Sequence, residues 1–161
     1  MIDRPSSDQS SRPVKLTGEA AEVALGEAQA VLALVSDGER RGKLADLVAA
    51  VGEGQVEGEQ AEALEELLEL GLQSGRLRAV YGPGGEQAAL RVYRQLPRGR
   101  ELGDSARALT RALATLEGRT LDSIRLQALG PGAFQLTLAA DGFELSLRLD
   151  QQGARVAGVG T

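Results

Sequence analysis

The sequence predicts an α+β protein: three helices and a β-hairpin, followed by an α-β-β-β unit with a helix packed on an antiparallel meander. Three observations predict it. Leucines and alanines recur at helical spacing through residues 18–73. From residue 76 the apolar positions alternate, as in half-buried strands. Between residues 124 and 149, three alternating segments can be paired so that every apolar side chain falls on one face.

Residues 1–16 are polar and read as a disordered tail, with no apolar core of a signal peptide. Thr17 is placed to cap a first helix running from about Gly18 to Val35, with Glu19 and Glu22 complementing its dipole. Its longest apolar stretch is broken by Glu22, Glu27 and Gln29 and is too short for a bilayer, so a soluble, cytoplasmic protein is expected. Ser36-Asp37-Gly38 ends this helix. A second spans about Glu39 to Val51, with Leu44, Leu47, Val48 and Val51 in one stripe, and Gly52, Gly54 and Gly58 mark a loop. A third spans about Glu59 to Gln73 and directs Ala63, Leu64, Leu67, Leu68 and Leu70 inward.

Leu77, Ala79 and Tyr81 then alternate with Arg76, Arg78 and Val80. Gly82-Pro83-Gly84-Gly85 reads as a turn, and Ala88, Leu90 and Val92 as the returning strand. Pairing these strands places Arg76 opposite Arg91, an unfavourable arrangement unless an anion or water intervenes.

The run Val31-Leu32-Ala33-Leu34, then Leu44-Ala45-Asp46-Leu47, then Leu64-Glu65-Glu66-Leu67-Leu68-Glu69-Leu70-Gly71-Leu72 and Arg76-Leu77 resembles the winged-helix superfamily over about residues 17–96. The resemblance implies that residues 17–99 form a winged-helix-like domain, with the hairpin as its wing. Residues 100–157 form the second domain. Its helix, about Glu101 to Leu116, carries Leu102, Ala106, Leu109, Leu113 and Leu116 as a narrow stripe suited to a sheet. A two-residue Asp141-Gly142 turn pairs Leu138 with Leu145, Leu136 with Leu147 and Phe134 with Leu149. A loop at Gly130 to Gly132 pairs Ala128 with Phe134, Leu126 with Leu136 and Ile124 with Leu138, and Ala154 to Val156 can add a short edge.

The chain has 161 residues and no His, Cys or Trp. It therefore has no thiolate nucleophile, no imidazole base and no zinc site of the usual nitrogen and sulfur ligands. Gly42-Lys43 lacks the upstream glycine and following hydroxyl of a phosphate-binding loop. No catalytic residue, metal or cofactor is expected, and the apolar stripe of the second domain reads as core, so no small-molecule substrate is expected either.

Charge points elsewhere. Residues 16–75 carry thirteen acids against Arg40, Arg41 and Lys43, a net −10, whereas residues 76–125 are net +5. A winged helix that reads DNA puts its third helix in the major groove. Here that helix offers Glu59, Glu62, Glu65, Glu66 and Glu69 and no basic residue, so phosphates would repel it. The favoured expectation is a non-catalytic interaction or adaptor module. Its acidic third helix and its basic residues (Arg76, Arg78 and Arg91 of the wing, Arg40, Arg41 and Lys43 of the second helix) would meet a protein partner or a second copy. The alternative is a DNA-binding transcriptional regulator that contacts phosphates through the wing and second helix. The arginines can also simply neutralise the acidic third helix of the same molecule or of a neighbour.

Overall fold

A computed structural model describes residues 12–160. The chain forms two compact units, divided after Arg100. The mixed α+β class predicted from the sequence is observed, with five helices, a two-stranded pairing and a four-stranded antiparallel sheet among the described residues.

The first unit opens with β1 (Val14–Lys15), which pairs with β2 (Gln55–Val56) between α2 and α3. Residues 12–16 thus depart from the disordered tail expected there, since Val14 and Leu16 are buried in the core; the rest of that tail, residues 1–11, lies outside the described residues. Helix α1 spans Glu19–Leu34, α2 Gly38–Gly52 and α3 Gly58–Gln73, within a residue or two of expectation. Thr17 does not cap α1; Gly18 occupies that position at φ 56°, with no side-chain cap. Asp37 does cap α2, accepting the Arg40 N–H at 3.0 Å. Leu47, Leu64, Leu68 and Leu77 lose essentially all solvent contact, and each such burial stabilises by about 2 kcal/mol.

The wing expected over residues 76–95 is absent. Arg76–Tyr93 forms α4, kinked at Gly82 (φ 71°, ψ −176°), with Pro83 opening its second helical segment. Leu77, Gly85, Ala88, Ala89, Val92 and Tyr93 are its buried positions. Their spacing from residue 85 onward is three and four, the helical period, which outweighs the local alternation. Proline suits a first helical position, where its missing N–H has no partner to lose. Gly85 completes the kink, because a Cβ there would collide with Tyr81. Arg76 and Arg91 consequently never oppose each other across a ladder.

Helix α5 spans Pro97–Ala114, and the division between units falls within it. In the second unit, β3 (Leu121–Gly130), β4 (Ala133–Ala140), β5 (Phe143–Asp150) and β6 (Gly153–Gly160) form an antiparallel meander in that order. All six predicted cross-strand pairs are observed. Asp141 (φ 49°) and Gly142 (φ 76°) make the turn, both left-handed as this tight hairpin requires. The short edge expected at residues 154–156 is a full strand, with a register shift opposite Ser146 and Leu147. Leu102 lies against Gly153, and Leu145 and Leu147 of β5 are buried. The same apolar face is bare on β3, where Ile124 and Leu126 are 60% and 64% exposed. No helix among the described residues is long and apolar enough to cross a membrane.

Candidate functional site

The acidic residues of α3 divide into two groups. Glu59, Glu62 and Glu66 are exposed. Glu65 is buried and turned inward: its Oε1 accepts the backbone N–H groups of Arg98 at 2.6 Å and Gly99 at 3.2 Å. These are among the amides that the first turn of α5 leaves without helical partners. Residue 96, at the entry to that helix, is a leucine and offers no acceptor, so α3 supplies the cap that the local sequence lacks. Burial raises the pKa of the Glu65 carboxyl, opposed by the two backbone N–H groups and the Arg98 charge. Glu69 reaches the Arg98 guanidinium at 2.9 Å, and that bond raises the pKa of Arg98. The five glutamates expected to form one docking face therefore offer three to solvent, while two hold the start of α5.

The basic residues are not gathered into a wing. Arg76 lies 3.3 Å from the buried Glu27 of α1, Arg78 lies 3.5 Å from Glu86 across the kink, and Arg91 lies 3.9 Å from Glu19. On α2, Arg41 donates to the carbonyl oxygens of Leu32 and Val35, closing the C-terminal end of α1. Lys43 pairs with Glu39 one turn away. Arg40 contributes its backbone N–H to the Asp37 cap. Most of these cations thus have carboxylate or carbonyl partners within the first unit. Those carboxylates belong to α1, α2 and α4, and not to the acidic third helix expected to receive them.

Sequence reasoning missed Glu27 and Tyr81. Glu27 is 2% exposed, and its Oε1 has no hydrogen bond among the described residues. Arg76 Nη2 is close enough for an ion pair but is not aligned to donate. Burial, and then the charge of Glu27, raise the pKa of the Tyr81 phenol. The available signal was positional: Glu27 falls between Ala24 and Ala28 on the face that carries the core residues of α1.

Arg40, Lys43 and Arg76 come together with Glu27 and Glu66 around a groove of about 550 Å³ formed by the first four helices. In the second unit, Asp150 collects Arg148 at 3.1 Å and Arg155 at 2.9 Å on the strands β5 and β6. Burial by itself pushes the Asp150 carboxyl up, but the Gln152 N–H and the two guanidinium groups together outweigh it and hold the pKa below the usual value.

No family model matches the chain, and no curated protein or solved structure matches it.

Proposed function

We propose that the chain is a non-catalytic protein-interaction module that docks through the free edge of its sheet, with the exposed acids of α3 as a second contact surface. The observation that carries this reading is β3. It is an outer strand of ten residues whose neighbour on one side only is β4. Ile124 and Leu126 stand exposed on it, beside the partly exposed Phe134 of β4. A long edge with bare apolar side chains is a template for a further strand, and soluble proteins commonly protect such edges with charge, bulges or proline. Both edges carry register shifts, β3 between Leu121 and Ser123 and between Ala128 and Gly130, and β6 opposite Ser146 and Leu147; between its two shifts β3 pairs regularly over Ser123–Ala128, the stretch that bears Ile124 and Leu126.

A second copy fits this edge. Antiparallel pairing centred on Leu126 sets Leu126 against itself, Ile124 against Ala128 and Arg125 against Gln127, so no like charges oppose. Pairing centred on Arg125 would oppose two guanidinium groups. The absence of His and Cys supports a role without catalysis. The alternative of phosphate contact through a wing loses the hairpin it required.

Light scattering of the full chain over a range of concentrations tests the reading. A dimer is expected, converting to monomer in the Ile124→Asp, Leu126→Asp double variant without loss of helical circular dichroism. A wild-type monomer at all concentrations, combined with salt-sensitive binding of duplex DNA, would overturn it.

A further inference from the structure

A second concavity of the first unit is defined by charge. It has a volume of about 640 Å³, and its polar lining is Arg12, Lys15, Arg94 and Arg100 with Gln55 and Gln95; no carboxylate lines it among the described residues. The β1–β2 pairing builds one wall. Val14 and its partner Val56 are buried, so strand alternation turns the neighbouring pair, Lys15 and Gln55, to the outer face. The end of α4 and the start of α5 supply the rest. The first-turn amides of Arg98 and Gly99 are already held by Glu65, so the charge of the pocket comes from side chains. These four cations are an exception in their unit. Residues 1–100 carry twelve Lys and Arg against sixteen Asp and Glu, a net −4. Lys43, Arg76, Arg78, Arg91 and Arg98 each have a carboxylate partner there, whereas Arg12, Lys15, Arg94 and Arg100 have none among the described residues. The C-terminal end of α4 favours one nearby cation such as Arg94, but not four that converge. A cleft lined by one sign of charge focuses its field on the opposite sign.

We infer that this pocket binds the polyphosphate group of a small molecule, its adjoining phosphates shared among Arg12, Lys15, Arg94 and Arg100. A guanidinium group meets phosphate oxygens with paired N–H donors, and such charge-assisted bonds are about twice as strong as neutral ones. A single phosphate brings roughly two negative charges at pH 7 and leaves about half of the pocket's charge unbalanced; adjoining phosphates balance all of it. The ligand is compact, because the exposed Glu53 and Glu57 flank Gln55 in the chain, and a nucleic-acid strand continuing past the pocket along β2 would meet them. No aromatic side chain lines the pocket among the described residues, so a base has no surface on which to stack. The phosphates, and not the group that carries them, are what is read. Arg12 and Lys15 fall in the stretch that reads as a tail in the sequence, far from Arg94 and Arg100, so only the fold gathers the four.

Inorganic tripolyphosphate probes this chemistry alone. Titrated into the full-length chain at low salt and followed by calorimetry, it should bind saturably, with orthophosphate weaker by about tenfold or more. Lys15→Gln and Arg94→Gln each remove one exposed cation without touching the core, and each should weaken tripolyphosphate binding about tenfold while leaving the circular dichroism unchanged. Arg40→Gln, outside the pocket, should keep the wild-type affinity. ATP carries the same three phosphates on a nucleoside and should bind about as tightly; a gain of about tenfold or more would mean that the nucleoside is read and would overturn the assignment. So would orthophosphate binding as tightly as tripolyphosphate, wild-type affinity in either pocket variant, an equal loss in Arg40→Gln, or no saturable binding. Displacement of tripolyphosphate by a lower concentration of duplex DNA or of an oligoglutamate peptide would assign the pocket to a macromolecule instead. The Ile124→Asp, Leu126→Asp chain should bind tripolyphosphate as the wild type does, so the docking proposal and this one fail separately.

Discussion

Glu65 does the work of a helix cap from a distance of more than thirty residues. Its Oε1 holds two buried or half-buried N–H groups at the start of α5, and Gly99, which donates one of them, sits so close to the Tyr93 carbonyl that no Cβ could be accommodated. What this position requires is an acceptor oxygen. Glu65→Ala should therefore lower the unfolding free energy by about 1–2 kcal/mol, the usual cost of losing a cap. Glu65→Gln retains an amide oxygen in the same place and should cost clearly less. Urea unfolding of both variants checks the order; equal losses would show that charge rather than acceptance matters. The same residue shows what a sequence withholds. Leu96-Pro97-Arg98-Gly99 announces a helix start through its proline, but only the fold reveals which side chain serves it.

Among the elements, α4 is the one whose identity turned on a glycine-rich segment. Gly-Pro-Gly-Gly is compatible with a hairpin turn and with a helix kink, and the alternation of residues 76–81 favoured the first. The deciding information was long-range: Ala88, Ala89, Val92 and Tyr93 pack as a helical stripe in the core of the first unit. The second unit was legible for the opposite reason. Its strands are neighbours in sequence, its turns are short, and a slip of one residue would turn every leucine to the wrong face. The dispersal of the wing arginines could not be read either, since their ion pairs follow from the helix. The kink makes a direct prediction. Gly82 has open space around it but a backbone conformation essentially restricted to glycine, so Gly82→Ala should cost about 1–3 kcal/mol. Gly84 is helical and exposed, and a Cβ there meets only the flexible end of Glu19 at 3.1 Å. Gly84→Ala should be neutral or stabilise by up to about 1 kcal/mol. Denaturation midpoints with unchanged slopes separate the two outcomes.

Across the whole molecule, the two units carry carboxyl groups displaced in opposite directions, so acid should affect them differently. Glu65 in the first unit has its pKa raised above the ordinary 4.5, chiefly by burial. Its protonated form is favoured on folding. Its contribution is fully present below pH 4.5 and is lost as pH rises through the folded-state value. Asp150 in the second unit is held below the ordinary 3.8, because the Gln152 N–H, Arg148 and Arg155 outweigh its burial. Its contribution is present above pH 3.8 and is lost as pH falls through the folded-state value. Amide hydrogen exchange reads each unit separately, with Leu64 and Leu68 reporting on the first and Leu145 and Leu147 on the second. Comparison with neutral variants removes the background of the other carboxylates. Relative to Glu65→Gln, the wild-type first unit should lose protection as pH rises above the ordinary 4.5. Relative to Asp150→Asn, the wild-type second unit should lose protection as pH falls below about 4. Parallel pH trends in the two comparisons would mean that the carboxyls do not experience the environments their neighbours impose.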